Sequence, residues 1–437
     1  MSLVIVIAGI LLLFLLIAAL KLNSFISFII VCIFVGALEG MEPLGIIDSI
    51  QRGIGNTLGF LVLILGLGAM LGKLVADSGA AQRITTKLVD AFGIKYVQWA
   101  VVLTGFIVGI PMFYSVGFVI LVPLAFTIAA TTKLPLLYVG LPMLTSLSVT
   151  HGYLPPHPAP TAIAAMFGAS IGKTLMYGLV IAVPAIIVAG PLFARTIKKI
   201  EAKPLEEFYN PVILTNDEMP SATTSLLTAL LPIILIFAAI FANHFLADGA
   251  LKTLLVFLGS PVIAMLIAVL FAIYSLGLKQ GKKMKEVMST LSESVTGITM
   301  ILLVIAGAGA LKQILVDSGV SEYIASLLEG TDLSPILVAW LIATVIRVCV
   351  GSATVAGLTA AGIALPLASS TGTPPELLVL AIGSGSLMLS HVNDSGFWLF
   401  KEYFNLSVND TLRTWTVMET LVGVMGLLGT LALSLFI

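Results

Sequence analysis

Charge is scarce in this 437-residue chain: Asp, Glu, Lys and Arg make up 10% of it, against roughly 25% in soluble domains. The hydrophobic fraction is 59% and the mean hydropathy +1.14. A soluble globular fold is therefore excluded, and an all-α polytopic membrane protein is expected. Cysteine is nearly absent. Cys32 and Cys349 both sit in apolar runs, so no disulfide framework is implied. A net charge of −1 gives no reason to expect a nucleic-acid partner. No Gly-x-x-x-x-Gly-Lys-Ser/Thr motif occurs, which argues against direct ATP drive. No His-Glu-x-x-His pattern occurs either, and His151 and His157 are six apart, so neither a zinc site nor any cofactor is expected. The first apolar run lacks a basic flank and an Ala-x-Ala cleavage site, so it reads as a retained span.

What the chain does have is a series of apolar runs: 3–20, 25–38, 61–71, 175–193, 226–242, 254–276, 298–311 and 420–437. A span needs about 20 residues, so the length allows roughly 10 to 14 crossings or half-crossings. Two basic clusters orient them. Arg195, Lys198, Lys199 and Lys203 form one, and Lys279, Lys282, Lys283 and Lys285 the other. The positive-inside rule puts both on the cytoplasmic side, with two runs between them to close the parity. The polar stretch 201–224 divides the chain, as a cytoplasmic linker, into a first membrane repeat at 1–200 and a second at 225–437.

The halves resemble each other at an offset of 240 residues. Asp77-Ser78-Gly79 falls on Asp317-Ser318-Gly319, Thr104 on Thr344, Gly117 on Gly357, Pro135 on Pro375 and His151 on His391. Equivalent points fall on opposite sides of the bilayer if Lys21 marks a cytoplasmic turn, which makes the repeat an inverted one. Secondary transporters are commonly built so, with the site at the midplane between discontinuous helices. The recurring Asp-Ser-Gly reads as a helix end.

The helix-breaking stretches pair up under the same shift. The run 148–161, Ser-Val-Thr-His-Gly-Tyr-Leu-Pro-Pro-His-Pro-Ala-Pro-Thr, holds two of the four histidines. Its prolines cannot continue a helix, and broken backbone at membrane depth survives only inside protein or beside a wet cavity. It overlays Ser390-His391-Val392-Asn393-Asp394-Ser395-Gly396. The run 111–117 likewise overlays 351–357. Four breaks meeting at the midplane offer helix N-termini to an anion.

Arg347, inside an apolar run, is a functional candidate because intramembrane charge is costly. Its planar fork suits a carboxylate. The structural alternative is an ion pair with an acid such as Asp317, or snorkelling. Asp394 and His391 are the expected proton carriers, with His151 and His157 able to do the same. Asp394 and Asn393 have helix capping as their alternative, and the histidines a hydrogen-bonded core position. Tyr114, Ser115, Thr150, Ser352, Thr354, Ser390 and Asn393, together with His151, His157 and His391, are candidate partners for substrate hydroxyls. Capping and helix packing explain Ser and Thr equally well.

At these motifs the chain resembles the gluconate permease (GntP) family of bacterial proton symporters, within the ion-transporter superfamily. The segments that carry the resemblance are 68–79, 99–106, 136–140, 147–158, 351–355, 390–394 and 396–406. The resemblance implies a scaffold domain, a moving transport domain with two re-entrant hairpins, an elevator cycle, a homodimer and the bacterial inner membrane. It implies import of gluconate or a related sugar acid with a proton, D-serine being the substrate of one branch. The family pattern usually reads Phe-Tyr-Glu-Val-Gly-Phe at the first hairpin tip, where this chain has Ser115. Asp394 or a histidine then serves for coupling, or Na⁺ replaces the proton. Ala159 and Ser395 stand where the family usually has Gly and Pro. A membrane-embedded enzyme at the His/Asp cluster needs a nucleophile–base pair or a metal set, and neither is present in the sequence. A channel needs no duplicated broken helices.

Overall fold

Proline and glycine punctuate a chain that is otherwise apolar helix, and the computed structural model follows that punctuation. It describes residues 2–203, 214–320, 323 and 333–437, with no strand among them. Part of the expected linker, 204–213, lies outside the described residues. Among the described residues, five helices are long and apolar enough to cross a membrane: Ile171–Thr196, Ala222–Phe245, Pro261–Gln280, Met284–Asp317 and Val408–Leu433. Two bent pairs raise the number to as many as seven. Shorter apolar helices fill the rest, among them Ser24–Leu38, Pro335–Val350 and Pro375–Gly385. The apolar runs at 61–71 and 298–311 prove to be the middles of much longer helices, Pro43–Asp77 with 35 residues and Met284–Asp317 with 34.

These two long helices cross in close contact. A Cβ on Gly53 would stand 2.8 Å from the Ala310 Cα, so only glycine lets the backbones meet there. Each helix ends at its Asp-Ser-Gly. Gly79 and Gly319 take φ of 77° and 76°, the left-handed stop that favours glycine. The aspartates serve as helix-end anchors. Asp77 pairs with Lys73 at 3.0 Å, while Asp317 takes Arg52 at 3.1 Å and Ser49 at 2.5 Å. Asp317 is therefore engaged elsewhere and is not the partner of Arg347.

Helix starts in the two halves can be set side by side at an offset near 240 residues. Val97–Gly109 corresponds to Pro335–Val350, Tyr114–Thr132 to Ala353–Ser370, Leu136–Tyr153 to Pro375–Gly385, and Pro158–Phe167 to Ser395–Tyr403. The halves interlock. Pro158–Phe167 packs on the second-half helices Ala353–Ser370 and Pro375–Gly385. In return, Tyr403 and Phe404 meet Phe118 and Phe126 edge-on, with centroids 5.3 and 5.5 Å apart. Two apolar cores result, each drawing on both halves. Phe241, Phe245, Leu251 and Phe257 remain exposed on the outside, as a lipid-facing surface requires.

The far end of the linker is clamped onto the first half. The Arg83 guanidinium donates to Pro220 O at 2.8 Å and Asn216 Oδ1 at 2.9 Å. Gln82 exchanges two bonds with the Leu214 backbone. Each bond contributes about 1 kcal/mol. Arg83→Ala is expected to raise limited proteolysis within 214–220 by about tenfold or more, since several bonds are lost at once. Helical content by circular dichroism should stay unchanged.

Candidate functional site

Three helix starts converge on one cavity of about 280 Å³. Tyr114 opens the helix after the first break, Ser352, Ala353 and Thr354 the helix after the second, and Asp394, Ser395 and Gly396 the helix after the last. Their leading N–H groups have no intrahelical partner, and the helix dipoles add positive potential there. Arg347 enters the wall from the last turn of Pro335–Val350 and is 3% exposed. Phe113, Ser148, His151, Ile301, Leu387, Leu399, Trp415 and Glu419 complete the lining.

Arg347 has a specific partner. Its Nη2 lies 2.5 Å from Asp394 Oδ2, whereas its Nε and Nη1 are buried with no partner among the described residues. Asp394 is held from several sides. The Ser390 hydroxyl also donates to Oδ2, and the Gly396 N–H donates to Oδ1 at 2.9 Å, so Asp394 is N-cap and ion-pair partner at once. Ser390 in turn accepts from the Trp415 indole at 2.8 Å, and its carbonyl accepts from Thr416 at 2.5 Å. The last break is thereby a fully bonded loop that aims one carboxylate at one guanidinium.

The structure sorts the residues expected from sequence into layers. Tyr114, His151, Arg347, Ser352, Thr354 and Asp394 reach the cavity. Thr150, His157 and Ser390 lie behind the lining. The Thr150 hydroxyl bonds back to Leu147 O, and His157 Nε2 bonds Gly109 O at 2.8 Å. The His157 ring meets the His151 ring edge-on at 5.3 Å, so it supports His151 from the rear. His391 and Asn393 turn to the Val348 carbonyl, at 3.1 and 2.7 Å, where they satisfy the end of the Pro335–Val350 helix. Ser115 sits in the first turn of its helix, and its side chain lies outside the description.

Glu419 and Trp415 are lining residues that the sequence did not single out, and Ser148 stood only as the start of the 148–161 break. Glu419 is 2% exposed, and its Oε2 has no partner among the described residues. The signal was present, since an acid one residue ahead of an apolar run is rare and costly in lipid. Altogether the wall holds five buried polar atoms without partners among the described residues: Tyr114 Oη, His151 Nδ1, Arg347 Nε and Nη1, and Glu419 Oε2. Buried polar groups are normally bonded, so this concentration makes the cavity the candidate functional site.

Broken apolar helices around a polar cavity with an intramembrane arginine define a multi-pass membrane transporter. The comparisons name the family. Residues 1–436 match the GntP family permease, and the chain belongs to that family. It is 52% identical to the high-affinity gluconate transporter of Escherichia coli (strain K12), over the full length of both chains. It is 51% identical to the Gnt-II system L-idonate transporter of the same strain, over 99% of each. It is also 47% identical to the gluconate permease of Bacillus subtilis (strain 168), again over both full lengths. These relatives are named as transporters and permeases, not enzymes. Among solved structures, the fold is similar to the YdaH transporter of Alcanivorax borkumensis, with a TM-score of 0.66 at 17% identity over 94% of this chain and 97% of that one. It is also similar to MtrF of Neisseria gonorrhoeae, with a TM-score of 0.63 at 18% identity over 94% and 93%.

Proposed function

We propose that this protein is a secondary active transporter that imports gluconate, or a closely related sugar acid, together with a proton. The observation that carries the reading is the chemistry of the cavity wall. Nε and Nη1 of Arg347, without partners among the described residues, stand among three helix N-termini, ringed by the Tyr114 hydroxyl, His151, Ser352 and Thr354. A sugar acid offers one carboxylate and a row of hydroxyls, which match a charged fork surrounded by neutral donors and acceptors. Trp415 and Tyr114, 5.9 Å apart, supply an apolar face for the C–H side of the substrate. The cavity suits a six-carbon acid in volume.

In this reading the substrate carboxylate docks on one edge of the Arg347 guanidinium, on Nε or Nη1 together with the second Nη2 hydrogen, while Asp394 keeps the first. The guanidinium is thereby shared between a resident acid and a visiting one. Asp394 belongs to the coupling machinery, because its grip sets how strongly Arg347 can hold the substrate. His157 and Ser390 fix the orientation of His151 and Asp394. His391 and Asn393 act through the Val348 carbonyl on the helix that carries Arg347. The same reading has the protein working as a homodimer in the bacterial inner membrane. Its halves are inverted repeats, the pair of long crossing helices is the scaffold, and the broken helices form the element that moves.

Radiolabelled gluconate counterflow in proteoliposomes tests the class of substrate. We expect exchange, competition by L-idonate, weaker or no competition by D-serine, and net uptake driven by an inside-alkaline pH gradient. Absence of gluconate exchange, or uptake that ignores the pH gradient and follows Na⁺, would contradict the reading.

A further inference from the structure

Resting on the sugar-acid and proton reading above, we infer that Glu419 is the group that carries the coupled proton across the membrane. The inference begins with what Asp394 is already doing. Its two oxygens accept from Arg347, Ser390 and the Gly396 N–H. A proton added there must displace a donor and loosen the loop that positions Arg347. Glu419 is arranged otherwise. Its carboxyl lines the same cavity, and its Oε2 is buried with no partner among the described residues. A proton can join that oxygen without breaking any bond.

The charges around Glu419 point the same way. It is faced by Ser148, His151 and Tyr153 from Leu136–Tyr153, by Tyr114, by Arg347, and by Asp394. Arg347 is the one permanent cation in this set, and Asp394 already holds it. A substrate carboxylate brings a third acid to one guanidinium. Buried unpaired carboxylates are strongly unfavourable, and carboxylates that share a site cannot all ionise readily. Substrate and a proton on Glu419 therefore favour each other, which is what symport requires. The step is balanced. An O–H bond forms on Glu419 with a proton from the outer aqueous side as substrate binds, and the same bond breaks as the site opens inward. No other covalent bond changes.

Glu419→Gln in proteoliposomes tests this, because glutamine keeps the shape of the neutral acid and cannot release a proton. Gluconate counterflow, which needs no net proton movement, should remain within about tenfold of wild type, the scale of one altered hydrogen bond. Accumulation driven by the pH gradient should be lost. A Glu419→Gln protein that still concentrates gluconate on a pH gradient overturns the assignment while leaving the substrate reading intact. A wild-type protein that fails to exchange gluconate overturns both. Should Glu419→Gln fail to fold, infrared difference spectra of wild type and Glu419→Asp decide the matter. Gluconate should perturb a carboxylic-acid C=O band that shifts in the Asp variant, and a band identical in the two proteins removes Glu419 from coupling.

Discussion

Arg347→Gln is expected to abolish gluconate binding at any attainable concentration. Two charge-assisted bonds to the substrate carboxylate disappear, each worth about 1.5–3 kcal/mol. Their joint loss raises the dissociation constant by about 100-fold or more. The variant also leaves the largely buried Asp394 without its cation, and breaking a fully buried pair from one side costs about 3–5 kcal/mol of stability, an upper bound here. A lower yield from that cause must be separated from lost recognition. The double variant Arg347→Gln/Asp394→Asn does so. Replacing both charges removes the stranded carboxylate, so thermal stability in detergent should recover most of the loss, whereas gluconate binding should not. Asp394→Asn alone should retain a fold close to native, because the amide oxygen still accepts from the Gly396 N–H while its NH2 donates to the Ser390 hydroxyl. It leaves Arg347 unrestrained, so affinity and coupling should both change. Recovery of binding in the double variant would show that Arg347 acts only as a structural partner of Asp394.

Gly351→Ala is the second large effect, and it acts on geometry with no charge altered. Gly351 ends the helix that carries Arg347, with φ of 78°, and its N–H bonds the Arg347 carbonyl at 3.0 Å. A left-handed conformation costs a side-chain-bearing residue about 1–2 kcal/mol. Sterics add to that here. A Cβ would stand 2.6 Å from the Asn393 carbonyl carbon and 2.8 Å from its Cγ, and nearer still to the carbonyl oxygen. Those atoms are backbone and a bonded amide, so they cannot swing aside. The break at 351 and the break at 393 would be forced apart, and Asn393 would lose its bond to Val348 O. Asp394 is the next residue, so the distance to Arg347 changes as well. Gly372→Ala is the matched control. Its φ is 67°, but no atom lies within 4 Å of the added Cβ, so it pays only the conformational cost. We expect Gly372→Ala to transport normally with a small loss of melting temperature. Gly351→Ala should melt several degrees lower still, since about 1 kcal/mol shifts a domain of this size by a few degrees, and should lose most uptake. Equal behaviour of the two variants would mean that the contact between the breaks is unimportant.

The sequence made the breaks legible, because prolines at 155, 156 and 158 and glycines at 351 and 396 cannot be reconciled with uninterrupted helices. It also made Arg347 stand out, since an arginine amid valines and isoleucines has few harmless explanations. The pairing of Arg347 was beyond reach. Asp317 and Asp394 were both available acids, and nothing local says that Asp317 faces Arg52 and Ser49 on the crossing pair of long helices. The direction of His391 and Asn393 was hidden for a similar reason. Both sit in a break next to the site, yet their nearest unsatisfied group is a helix-end carbonyl at Val348. Glu419 is hidden because the apolar run starts at Thr420, one residue past this acid, which hydropathy alone does not join to the cavity. The count of spans could not be read either. A hydropathy run marks the middle of a helix, and the 35-residue Pro43–Asp77 helix extends far beyond its greasy centre.

The most direct test is a structure of the purified protein with gluconate bound. The account predicts the carboxylate within hydrogen-bond distance of Arg347 Nε or Nη1, Asp394 still on Nη2, and substrate hydroxyls on Tyr114, His151, Ser352 or Thr354. Gluconate bound in this cavity with its carboxylate turned away from Arg347, or bound instead in the neighbouring cavity lined by Lys73 and Glu293, would contradict it.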